Sequence, residues 1–145
     1  MQVSFHELGS IDDQRLSFAV IGAQFAGQWV FVRHRERQTW EIPGGHREAG
    51  EAIAQTAARE LVEETGASDF TIEPLSEYSV MRGDQVSYGR LFLANIRRLG
   101  SLPESEIGQV ELFRTMPSQL TYPLIQPFLH AYLEAAARRL PRQDE

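Results

Sequence analysis

Apolar and polar positions divide the chain into blocks of two different periods. "RLSFAVIGAQF" (Arg15 to Phe25) and "QWVFVRH" (Gln28 to His34) are rich in apolar, β-favouring residues, and Ala26-Gly27 separates them. That predicts a strand, a tight turn and a second strand. "TWEIP" (Thr39 to Pro43) reads as a third short strand, ended by Pro43 and Gly44-Gly45. From Glu51 to Glu64 the pattern turns helical. Ile53, Ala54, Ala57, Ala58, Leu61 and Val62 recur at helical spacing, and Gly66 supplies a stop. Thr71 to Ile96 reads as two long strands turning at Arg82 to Gln85, and Gly108 to Met116 as one more strand. Thr121 to Leu140 predicts a closing amphipathic helix, with Thr121 as its N-cap and Pro123 in its first turn. Pro127 either kinks that helix or moves its start. The order of strands, helix, strands, helix predicts an α+β domain in which helices cover a mixed sheet.

The 145 residues fit one domain with a sizeable core, spanning residues 1–145. No apolar run approaches the roughly 20 residues that span a bilayer. The start, "MQVSFHELGSIDDQ", lacks the basic and then apolar order of a signal peptide, so a cytoplasmic location without a membrane partner is expected. The absence of cysteine excludes disulfides and thiolate metal sites. A net charge of −6 argues against extended, nonspecific nucleic-acid binding. It leaves room for a phosphorylated substrate if cations stand between the two sets of negative charge. "VRHRER" (Val32 to Arg37) supplies local arginines for such a ligand.

Charge changes the picture most within the first helix. Glu60, Glu63 and Glu64 lie three and four residues apart or adjacent. Like charges at helical spacing cost roughly 0.2–0.5 kcal/mol per pair. At about 100° per residue the three carboxylates fall within one arc, beside the apolar side made by Ala54, Leu61, Ala58 and Val62. Glu51 adds a fourth acid at the helix start, where the dipole favours negative charge. The carboxylates lack a ladder of lysines; Arg59 is the cation spaced to reach Glu63. A solvated acidic face is the ordinary reading of such a helix. Against it stands the preceding Pro43-Gly44-Gly45, whose glycines let a backbone carbonyl approach a ligand. Carboxylates with a carbonyl make a hard oxygen site suited to Mg²⁺ or Mn²⁺, and a cation would turn the repulsion into attraction.

The full spacing is Gly45, five residues, Glu51, seven residues, then "RELVEETGA" from Arg59 to Ala67. This resembles a complete Nudix box over residues 45–67. The flanking "WEIPGG", the strand order and the closing helix also resemble the MutT-like branch. The resemblance implies an α/β/α sandwich with a mixed sheet, and hydrolysis of a nucleoside diphosphate linked to another group. It implies Glu60, Glu63 and Glu64 as metal ligands, with the Gly45 carbonyl added and Glu51 in the same cluster, directly or through water. Arg59 then orients a box glutamate, and Leu61, Val62 and Ala67 pack. In many relatives a glutamate on a later loop is the general base. Among Glu104, Glu106 and Glu111 we expect Glu106, from "SEIGQVELF"; relatives that use a box glutamate point to Glu60 instead. Arg33, Arg35, His46 and Trp40 are candidate substrate contacts, although alternate strand residues point to opposite faces.

The resemblance favours a small nucleotide substrate, first a nucleoside triphosphate, oxidised purine nucleotides included, cut to the monophosphate and pyrophosphate. ADP-sugar cleavage, trimming of triphosphorylated RNA 5′ ends and a non-catalytic nucleotide sensor are the alternatives. ADP-ribose-type relatives tend to carry a proline past the box, and Val80 to Asp84 has none. Sensors commonly lose box glutamates, and this chain keeps Glu51, Glu60, Glu63 and Glu64. Small relatives occur as monomers and homodimers.

Overall fold

The computed structural model describes residues 1–139. The strands are β1 (Gln2–His6), β2 (Leu16–Phe25), β3 (Gln28–His34), β4 (Gly44–His46), β5 (Ala67–Arg82), β6 (Gln85–Leu99) and β7 (Ile107–Phe113). The helices are α1 (Ile53–Thr65) and α2 (Gln126–Arg139). Six strands follow the order β1-β5-β6-β2-β3-β7, and β4 pairs with β2. β2 and β6 run parallel and the other pairings are antiparallel, so the sheet is mixed, as expected.

Strand alternation sends side chains to two faces, and each face carries a helix. On one face Ala19, Ile21 and Ala23 of β2 pack with Ile53, Ala57 and Leu61 of α1. On the other, Phe31, Tyr78 and Leu91 pack with Leu129 and Leu133 of α2. This is the α/β/α sandwich of the sequence reading. Gly22 is the close-approach point for α2, because a Cβ there would lie 2.6 Å from Leu133 Cδ1. Gly22→Ala is therefore expected to overpack the second core and cost about 1–3 kcal/mol, read as a lower denaturant midpoint.

The strand and helix limits mostly follow the pattern, with informative exceptions. β1 was not expected; it is short and half exposed, and it is held by pairing with β5 rather than by an apolar run of its own. Thr39 to Pro43 is not a strand. Glu41 bridges Val32 and Trp40 bridges Leu120, and the regular strand lies instead at Gly44–His46. Gly44 can lie flat on β2 because it lacks the Cβ that would meet the Ala19 carbonyl. α2 starts at Gln126, so Thr121 is not its cap; the Thr121 hydroxyl hydrogen-bonds Thr39 Oγ1 at 2.7 Å. Leu140, the expected helix end, lies outside the described residues. Val62 is exposed rather than packing, because the buried stripe of α1 passes through Thr56, Leu61, Glu64 and Thr65. Gly66 does end α1, at φ 77°, with its N–H bonded to the Val62 carbonyl at 3.0 Å. Among the described residues no helix is long and apolar enough to cross a membrane.

Candidate active site

α1 and β4 are joined by the acids of the helix. The Gly44 N–H donates to Glu64 Oε1 at 2.9 Å, and Glu64 is only 9% exposed. A Cβ on Gly45 would run into the Glu60 carboxylate, so the glycine is what lets Glu60 lie against the backbone of β4. The local chain supports this placement. Gln55 accepts the Ala52 N–H at 2.8 Å at the start of α1, and Gly66 closes its end.

Arg59 is the hub of the acidic cluster. Its Nε donates to Glu51 Oε2 at 2.6 Å and one terminal nitrogen to Glu51 Oε1 at 3.0 Å. The other terminal nitrogen reaches Glu60 Oε1 at 3.0 Å and Glu63 Oε2 at 3.4 Å. The nitrogen that meets Glu51 Oε1 also donates to the His46 carbonyl at 3.1 Å. Glu51 additionally accepts the Glu48 N–H at 2.9 Å and the Thr56 hydroxyl at 2.8 Å. Its oxygens are thus committed to protein donors, whereas Glu63 is half exposed and held by one long contact from Arg59. The structure brings Glu51 into the cluster as a partner of Arg59, not as a free donor.

Glu60, Glu63, Glu64 and Gly45 border a cavity of about 530 Å³. That size lies within the roughly 300–1,000 Å³ of small-molecule sites. Tyr78, Val80 and Arg82 from β5, Ile125, and Gln126 at the start of α2 also line it. His46 borders it too, its ring 3.9 Å from that of Phe18. Glu106 reaches the same cavity, with its Oε2 3.5 Å from His34 Nδ1.

The structure moves other expected contacts away. Arg33 is spent on Gln109 Oε1 at 2.9 Å and the Arg37 carbonyl at 2.8 Å. Arg35 packs over Gly108, and Trp40 sets its edge on Phe113 at 5.2 Å. None of the three borders the cavity. Their place is taken by residues that the pattern did not single out. Glu41 borders the cavity with Oε1 3.3 Å from His34 Nε2 and Oε2 3.1 Å from Arg37. The one available signal was an acid inside the otherwise apolar "WEIP".

Burial sets the protonation of these acids. It raises Glu64 to about 8, against a lowering hydrogen bond from Gly44, and the charges of Glu60, Glu41 and Glu106 raise it further. Burial likewise raises Glu60 to about 7, opposed by Arg59 and assisted by Glu63. Glu51 goes the other way, to about 2, through its hydrogen bonds from Arg59 and Glu48. Such a donor set, hard oxygens whose ionisation lacks enough positive charge, fits a divalent cation. Among the described residues no three His, Asp or Glu side chains yet converge on one point. Glu63 is the most exposed of the three helix acids.

This has a consequence for pH. A carboxyl raised in the folded state gives stability that is complete below its unfolded value near 4.5 and is lost as pH rises through 7 and 8. The metal-free protein is therefore expected to be less stable at pH 9 than at pH 6 by on the order of a few kcal/mol, and to melt at a lower temperature there. Millimolar Mg²⁺ should restore most of that loss at pH 9 and little at pH 6, in thermal melts at both values.

Carboxylates beside a cavity of small-molecule size suit a phosphorylated ligand carried with cations. The chain belongs to the Nudix family of hydrolases: the family model for the NUDIX domain matches residues 13–127. It is 29% identical over 122 residues to YtkD of Bacillus subtilis, provisionally named an 8-oxo-dGTP diphosphatase, covering 83% of this chain and 75% of that one. It is 34% identical over 108 residues to MutT4 of Mycobacterium tuberculosis, provisionally named a mutator protein; the match covers 69% of this chain and 43% of that one. The fold is similar to that of the pyrophosphohydrolase BsRppH of Bacillus subtilis, with a TM-score of 0.76 and 24% identity over 93% of this chain and 90% of that one.

Proposed function

We propose that this protein hydrolyses a nucleoside triphosphate, oxidised purine nucleotides among its substrates, to the monophosphate and pyrophosphate, with Mg²⁺ or Mn²⁺. The observation that carries this reading is that Glu60, Glu63 and Glu64 line the same cavity as the apolar side chains of Tyr78, Val80 and Ile125. The carboxylates suit a polyphosphate with its cations and the apolar side chains a base. The similarity to YtkD supports the choice of nucleotide.

Glu60, Glu63, Glu64 and the Gly45 carbonyl would hold the cation, with Glu51 acting through Arg59. A bound cation supplies neutralisation of phosphate charge and a lower pKa for water. Arg59 holds the carboxylates in register, so that the helix presents Glu60 and Glu63 together. Glu106 takes the proton of the attacking water. The water oxygen bonds to one of the two phosphorus atoms of the α–β bridge, the bridging P–O bond breaks, and its electrons leave on the departing pyrophosphate or nucleoside monophosphate. Arg33, Arg35 and Trp40 have no part in this scheme, while His46 remains a phosphate-side contact.

The test is a panel of nucleoside triphosphates, 8-oxo-dGTP, ADP-ribose and triphosphorylated RNA, with and without Mg²⁺, and with the products identified. Metal-dependent release of pyrophosphate and a monophosphate is expected from the triphosphates. Turnover confined to ADP-ribose or RNA, or absent from all of them, would refute the proposal.

A further inference from the structure

His34 ends β3 with both ring nitrogens facing carboxylates. Its Nε2 lies 3.3 Å from Glu41 Oε1 and its Nδ1 lies 3.5 Å from Glu106 Oε2. All three side chains border the cavity. The two acids are held very differently. The Glu41 side chain is only 12% exposed, and its Oε2 accepts from Arg37 at 3.1 Å. Its backbone is tied to Val32 in both directions at 2.9 Å. The Glu106 side chain is 85% exposed and stands just before β7. Its backbone is fixed, since the Arg35 N–H donates to the Glu106 carbonyl at 2.8 Å. Among the described residues, His34 is the one cationic group within ion-pair distance of its carboxylate. Local structure produces this meeting. Gly108 is an extra residue in β7 between Gln109 and Ile107, the partners of Arg33 and His34, so the register slips there. Bulges of this kind re-aim side chains and recur beside active sites. An ion pair with so exposed a member adds little stability. Stability therefore does not account for a ring whose two nitrogens are both committed to acids.

We propose that His34 is the positioning residue of the general base: its Nδ1–H donates to Glu106 Oε2 and holds that carboxylate at the cavity, while Glu41 fixes the ring. This rests on the reading of Glu106 as the base of triphosphate hydrolysis. Oε1 of Glu106 is then the atom that takes the proton of the attacking water. A base oriented by a second group, itself oriented by a third, recurs in hydrolytic sites. His34 is not itself the base, because each of its nitrogens already faces a carboxylate and neither is left for a water. The 3.5 Å separation from Glu106 is longer than a formed hydrogen bond, and catalytic contacts of this kind commonly shorten once substrate is bound. Without the ring, an exposed carboxylate rotates through many positions, and a misplacement near 1 Å costs on the order of a hundredfold in rate.

The test measures kcat and KM for 8-oxo-dGTP in Mg²⁺, as pyrophosphate release, in the wild type and in variants of His34 and Glu106. His34→Ala is expected to lower kcat by roughly ten- to a hundredfold with KM little changed. Asparagine places its amide nitrogen where Nδ1 stands, and glutamine places its own where Nε2 stands. His34→Asn should therefore restore most of kcat. His34→Gln keeps only the contact with Glu41, so it should resemble His34→Ala and controls for the loss of that buried partner. Glu106→Gln should be slower than the wild type by at least about a hundredfold. Adding His34→Ala to it should cost no more than about twofold further, because groups that act as a unit are not additive. An unchanged kcat in His34→Ala, effects that multiply in the double variant, or rescue by glutamine rather than asparagine overturns the positioning role alone. A wild-type rate in Glu106→Gln overturns the reading of Glu106 as the base, and no turnover by the wild type overturns the triphosphate reading; this inference falls with either.

Discussion

Glu64→Gln is expected to lower metal-dependent turnover by at least about a hundredfold, the scale for losing one charge-stabilising group from a preorganised site. The fold should survive. A glutamine oxygen still accepts the Gly44 N–H that Glu64 accepts at 2.9 Å, so β4 stays tied to α1. What disappears is a carboxyl that burial and its acidic neighbours hold at about 8. The metal-free variant should therefore melt higher than the wild type by a larger margin at pH 9 than at pH 6, and Mg²⁺ should stabilise it less. Steady-state kinetics with melts at both pH values check this. Wild-type turnover would remove Glu64 from the proposed ligand set, and a lower Tm at pH 9 would contradict the burial argument.

Alanine at Gly45 and at Gly44 is expected to separate activity from stability within one dipeptide. At Gly45 the new methyl meets the end of the Glu60 side chain, which can swing away. The domain then folds with a modest loss, but Glu60 is displaced, and displacements near 1 Å cost on the order of a hundredfold in rate. At Gly44 the methyl meets the Ala19 carbonyl, part of the β2 backbone, which cannot yield without disturbing the sheet. That variant should lose stability first. Denaturant titrations and kcat for the two proteins decide it; equal loss of stability in both would mean that Glu60 is not the part that moves.

The hydrophobic pattern was legible wherever an element has a period of its own. α1, the long hairpin of β5 and β6, and the order of layers all follow from it. β1 was not legible, since five half-exposed residues become a strand only because β5 offers an edge. The displaced strand at Gly44–His46 has the same kind of cause: glycines carry no strand signal, and their pairing depends on what β2 presents. The acids of the box were legible as a cluster because helical spacing alone brings Glu60, Glu63 and Glu64 to one side. Their inequality was not. Arg59 engages Glu51 at 2.6 Å and Glu63 at 3.4 Å, and the sheet buries Glu64.

What the sequence by itself determined is local in origin: the helix, its row of carboxylates, the glycines before it and the family they mark. Spacing along one helix fixes angles between side chains without reference to the rest of the chain. The tertiary structure alone decided which residues share the cavity. Glu41, Tyr78, Glu106 and Gln126 come from separate parts of the sequence and meet there, while Trp40, next to Glu41 in the chain, and Arg33 and Arg35 are turned elsewhere. Strand pairing and helix docking set that selection, because a side chain's neighbours across a sheet depend on register and face, which are properties of the whole fold.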